Sequence, residues 1–127
     1  MLSGLPPKVI CANQTEARQR AGLNYISILG TGSMAPFIPA ASPGEDPLTT
    51  IVAYAKFGNL PYSTIQQGNL VIYHPTWAVG FVMHQAAQRD SGGWIMSGLN
   101  NPRSEAFYRV TEKDFHSLVD TIYTWNR

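Results

Sequence analysis

Cysteine, charge and long apolar runs are all scarce in this chain, and each scarcity narrows what it can be. Cys11 is the sole cysteine in 127 residues, so no internal disulfide can form and the redox compartment stays open. Its expected role is that of a small buried hydrophobe. Charged residues make up only 13% of the chain, with 9 basic against 8 acidic side chains. No Lys/Arg stripe and no helix-turn-helix pattern is present, so nucleic acid is not expected as a partner. No apolar run approaches the length of a membrane span, and the opening Met1-Leu2-Ser3-Gly4-Leu5-Pro6-Pro7-Lys8 lacks the pattern of a signal peptide. The expectation is a soluble protein, either cytoplasmic or incorporated in a larger assembly such as a viral particle. Internal repeats and low-complexity segments are also missing. The length suits one domain and is short for two.

What is present is a succession of short strand patterns. Pro6-Pro7 reads as an extended arm rather than a packed element. Asn13 then offers an N-cap with Glu16 three residues on, and Gly22 offers a stop, so a short surface helix is expected over Gln14 to Ala21. Residues 1–24 are accordingly read as an arm and helix, and residues 25–127 as a β domain. Strands are expected at Tyr25 to Leu29, Thr49 to Lys56, Leu70 to Tyr73, Phe81 to Ala87, Trp94 to Ser97 and Leu118 to Trp125. Asp90-Ser91-Gly92-Gly93 marks a hairpin turn. Thr111 with Asp114 reads as the cap of a single helical turn. Breakers fill Ala40-Ala41-Ser42-Pro43-Gly44-Glu45-Asp46-Pro47, giving a longer excursion than an all-β domain needs. The class is mainly β, with a short N-terminal helix and an expanded loop.

The first strand pattern runs into Gly30-Thr31-Gly32-Ser33-Met34-Ala35-Pro36. Glycines give the turn conformations that other residues resist, and Pro36 prevents it from continuing as a helix. A turn of this kind can present a hydroxyl together with backbone N–H groups, as nucleophilic catalysis requires. By itself the pattern is equally that of a surface turn.

Four segments in order resemble one family. Gly32-Ser33-Met34-Ala35-Pro36 is similar to the serine box of signal peptidases and LexA-type self-cleaving proteins. Gly68-Asn69-Leu70-Val71-Ile72-Tyr73 resembles the Gly-Asp-aliphatic strand that follows it. Phe81-Val82-Met83-His84-Gln85 resembles the aliphatic-His-Arg segment of the archaeal and endoplasmic-reticulum type signal peptidases. Gly98-Leu99-Asn100-Asn101 resembles their Gly-Asp-Asn-Asn box. The resemblance implies a β-rich fold in which Ser33 is the nucleophile and His84 its general base. Gly32, Met34 and Pro36 would shape the oxyanion and substrate site, and Glu105 falls near the position of the acidic residue that orients the histidine. The implied substrate is a peptide or protein in extended form; no cofactor and no metal is implied.

The departures from the family are Leu99 for its aspartate, Asn69 for the strand aspartate and Gln85 for the arginine, and the family's membrane anchor has no counterpart. All remove charge near the expected site. They suit a second reading, a catalytically silent structural module with the same fold, such as a phage capsid decoration or cement protein assembled with partners or with itself. A third reading, a LexA-like regulator, ranks below these two because no DNA-binding half is expected in this sequence. His84 could equally be a histidine hydrogen-bonded within the fold, while His74 and His116 read as surface residues. Cys11, His74, His84 and His116 have no metal-ligand spacing. Lys56 precedes the Gly68 strand and is out of order for a lysine base. Trp77, Trp94 and Trp125 read as packing residues, one of which could anchor an interface.

Overall fold

A strand buried on both faces needs an unbroken apolar run, and Leu70-Val71-Ile72-Tyr73 supplies one. In the computed structural model, which describes residues 4–46, 49–100 and 108–125, this run is an inner strand of a single mainly antiparallel sheet, and all four residues are buried. The elements in chain order are β1 (Lys8–Cys11), α1 (Gln14–Ala21), β2 (Tyr25–Leu29), β3 (Ile51–Gly58), a 3-10 turn (Tyr62–Thr64), β4 (Leu70–Tyr73), β5 (Val82–Asp90), β6 (Gly93–Ser97) and β7 (Phe115–Trp125). Among the described residues the fold is mainly β with one α-helix, as the strand patterns predict.

The main path through the sheet is β2-β3-β7-β4-β5-β6. The eleven residues of β7 hold it together. One edge of β7 carries β3, while β4 and β1 share the other, β4 near its start and β1 near its end. A strand this long is needed because it serves two partners in succession along one edge.

The N-terminal arm is a correction to the sequence reading. Residues 8–11 form β1, paired in parallel with residues 122–125, and Ile122 N donates to Pro7 O at 3.0 Å. The Pro6-Pro7 pair ends one residue before the ladder starts, so it leaves the following N–H groups free to pair. β3 begins at Ile51 rather than Thr49, and β7 begins at Phe115 rather than Leu118. β5 runs on to Asp90, past a register shift between Ala86 and Gln88 that the sequence does not mark.

The helix keeps the predicted bounds because its signals are local. Asn13 Oδ1 accepts the Glu16 N–H at 2.9 Å, and Gly22 (φ +80°) closes the last turn onto Arg18 O. Only Ala17 and Ala21 are buried, packed with Cys11, Tyr54 and Trp125. At the other predicted cap, Asp114 reaches back toward the Thr111 N–H, and Phe115 N donates to Thr111 O at 3.1 Å, closing one turn before β7.

Alternation along β4 divides the interior. Leu70 and Ile72 join Ile28, Val52, Met83 and Ile122 on one face, while Val71 and Tyr73 join Ala86, Trp94, Met96 and Leu118 on the other. Each fully buried aliphatic side chain there contributes about 1.5–3 kcal/mol of hydrophobic stabilisation. His84 enters at the second face, opposite Val71 in the β4–β5 register.

Candidate functional site

The serine turn is built by two close backbone approaches. Gly30 lies under the returning chain, where a Cβ would come within 2.9 Å of Ala41 N, and Ala41 N donates to Gly30 O at 2.7 Å. Gly32 then takes φ +98°, a conformation that L side chains resist. The turn is pinned from the far end of the sheet, just beyond β6. Asn100 N donates to Ser33 O at 2.8 Å, and Asn100 Nδ2 donates to Gly32 O at 3.1 Å. A Cβ on Gly98 would lie 2.6 Å from Ser33 O, so only glycine permits this approach. In a trans peptide the N–H points opposite to the C=O. Clamping the carbonyls of Gly32 and Ser33 therefore directs the amides of Ser33 and Met34 away from the clamp.

On this platform Ser33 Oγ lies 3.4 Å from His84 Nε2. The histidine is only 8% exposed and stands on β5, while Ser33 is half-buried. On the other side of the ring, Nδ1 faces the Tyr73 hydroxyl at 3.3 Å. Thr31 Oγ1 lies 3.4 Å from Ser33 Oγ. A hydroxyl, an imidazole and a phenol are thus joined in line, with a second hydroxyl beside the first.

The serine and histidine open onto a groove of about 250 Å³. Its walls are β2, the serine turn and the start of β5. Ile26, Ile28, Met34, Ile38, Phe81 and Met83 make most of the lining apolar. β2 ends the sheet path, so the edge it turns away from β3 has no ladder partner among the described residues.

The sequence-predicted residues divide as follows. Ser33, His84 and Gly32 meet at the groove. Met34 lines it but is a buried member of the core. Pro36, which follows a cis peptide bond, is exposed and lies off the lining. Glu105 lies outside the described residues. Leu99 packs on the core cluster that holds Leu70 and Ile72. Gln85, on the opposite face of β5 from His84, is buried and donates to Gly68 O at 2.9 Å. Asn69 Oδ1 accepts the Gln66 N–H in the turn before β4.

Other candidates sit elsewhere. Lys56 pairs with Tyr25 at the end of the β2–β3 ladder remote from the serine turn. His74 and His116 are exposed and flank the Phe81 ring, with centroids at 5.9 and 4.5 Å. Trp94 and Trp125 are buried, whereas Trp77 is 49% exposed and meets Tyr108 edge-on. Among the described residues no group of three or more His, Cys, Asp or Glu is placed to hold a metal ion. No described helix is long and apolar enough to cross a membrane.

Sequence reasoning missed Tyr73, Thr31 and the reason for Gly98. Tyr73 faces His84 because Val71 pairs with His84, which places Tyr73 diagonally across on the same face. That follows from strand register, which a single sequence does not state.

Compared with models of known protein families, with curated proteins and with solved structures, the chain finds no match.

Proposed function

We propose that this chain is a serine hydrolase of the signal-peptidase/LexA-like kind, with Ser33 as nucleophile and His84 as general base, acting on peptide bonds in extended chains. The observation that carries this reading is the 3.4 Å approach of Ser33 Oγ to His84 Nε2 at the wall of an apolar groove. Catalytic hydrogen bonds are often long without substrate and tighten when it binds.

The chemistry follows from the placement. Ser33 Oγ attacks the scissile carbonyl carbon as its proton passes to His84 Nε2. The oxyanion takes the amides freed by the Asn100 clamp, with Thr31 Oγ1 close by. His84 returns the proton to the leaving amine as the C–N bond breaks. A water, deprotonated by the same nitrogen, then releases the acyl group and restores Ser33. The edge of β2 that has no ladder partner among the described residues suits a substrate that adds as a strand, its side chains falling alternately into the apolar groove. The four sequence segments that resemble the family support the same reading.

The test is labelling with a fluorophosphonate, followed by intact-mass analysis. Wild-type protein is expected to gain one adduct at Ser33, Ser33→Ala none, and His84→Ala to react at least a hundredfold more slowly. A folded wild-type chain that takes no label rejects the assignment.

A second reading has its own observation. Leu99, Gln85 and Asn69, which stand where the family carries charge, are each absorbed into packing or turn contacts. A retained fold serving as a structural module, within a particle such as a phage capsid, would look the same. Such a chain stays unlabelled and enters a stoichiometric assembly.

A further inference from the structure

We propose that Tyr73 is a positioning residue whose phenol oxygen accepts the Nδ1–H of His84 and thereby selects the tautomer that leaves Nε2 free to take the Ser33 proton. The proposal rests on the Ser33–His84 reading above and adds to it the group that prepares the base.

A neutral imidazole carries one proton, so one nitrogen donates and the other accepts. For Ser33 Oγ to give its proton to Nε2, that nitrogen must be the acceptor, and Nδ1 must hold the hydrogen. A donor at Nε2 would instead present its N–H to the serine oxygen and leave no base. The choice is made by whatever faces Nδ1. The Tyr73 hydroxyl lies there at 3.3 Å, on a side chain with no exposed surface, and the ring centroids stand 6.5 Å apart. Phenol oxygen can accept from Nδ1–H while its own hydrogen points elsewhere.

The placement is rigid for a reason in the fold. Tyr73 ends β4 between β5 and β7, with Val82 opposite it on one side and Phe115 on the other. Its ring is packed in the cluster of Val71, Ala86 and Leu118, so the hydroxyl has little freedom to leave the histidine.

The experiment reads the tautomer directly and then its consequence. Histidine-¹⁵N-labelled protein is examined by long-range ¹H–¹⁵N correlation at a pH where the rings are neutral. His84 is picked out from the 3 histidines by its loss in His84→Gln. Expected in the wild type is a His84 ring protonated at Nδ1. Tyr73→Phe, which keeps the ring and removes the oxygen, is expected to shift population toward the Nε2–H form. It should also slow fluorophosphonate labelling about 10- to 100-fold. A wild-type His84 protonated at Nε2 overturns the proposal without any variant, and so stands even if Tyr73→Phe fails to fold. A Tyr73→Phe protein with unchanged tautomer and labelling overturns it while leaving the Ser33–His84 reading intact. A folded wild type that takes no label removes that reading, and the positioning role falls with it.

Discussion

Gly98 packs against the carbonyl of Ser33 so closely that an added Cβ would stand 2.6 Å from the oxygen. The approach brings the end of β6 under the serine turn and lets Asn100 hold two successive carbonyls. The orientation of Ser33 is thus fixed in part by a residue 65 positions away that carries no functional group.

Gly98→Ala should therefore act on the site through displacement. Backbone cannot yield as a flexible side chain would, so either the serine turn or the β6 end must move. Expected are a stability loss of about 1–3 kcal/mol and at least a tenfold slower fluorophosphonate reaction. Urea unfolding and labelling rates measure the two effects; unchanged values for both would sink the account of the clamp.

Thr31 offers a finer probe, because it is exposed and its removal leaves the core alone. If its hydroxyl steadies the developing oxyanion, Thr31→Val should slow acylation by about a hundredfold with no change in unfolding midpoint. Thr31→Ser, which keeps the hydroxyl, should restore most of the rate. Equal rates in the Val and Ser variants would show that the hydroxyl is a bystander.

Cys11 is expected to be a slow thiol. Burial beneath α1 raises its pKa above the ordinary value, and the nearby Glu16 carboxylate raises it further, against a smaller opposing effect of Arg20. Little thiolate is present near neutrality, and the reagent must also reach a buried sulfur. Modification by a disulfide reagent should be far slower than for a free cysteine and should accelerate as denaturant unfolds the chain. Rapid stoichiometric reaction in buffer would contradict the packing.

The β5–β6 hairpin carries a pH dependence whose sign follows from Asp90. Its carboxylate accepts from Arg109 Nε at 2.8 Å and from Gly92 N at 2.9 Å, and the arginine bond is the larger cause that lowers its pKa. A group depressed on folding stabilises above its unfolded pKa, and that contribution fades as pH falls through the folded value. The window thus opens near the ordinary aspartate value of about 3.9 and extends below it. Hydrogen-exchange protection of the hairpin amides, corrected for intrinsic rates, should fall below that pH in the wild type. In Asp90→Asn the fall should be absent, with protection lower throughout at neutral pH.

The sequence alone determined what depends on neighbours along the chain. The helix ends are legible because Asn13 and Gly22 complete hydrogen bonds within one turn of themselves. Buried β4 is legible because four consecutive apolar residues admit few other placements. The serine turn and the histidine strand were also readable, since glycine spacing marks the first and an apolar strand pattern the second. Tertiary structure alone decided which of these pieces meet. Residues 8–11 look like a loose arm until β7 offers them an edge, and strand pairing is written in the partner as much as in the strand. The distance from Ser33 to His84 spans 51 positions and depends on the Gly98 approach and the Asn100 clamp. Tyr73 faces His84 only because Val71, and not its neighbour, pairs with that residue. A slip of one position would send the phenol to the opposite face of the sheet, because side chains alternate along a strand.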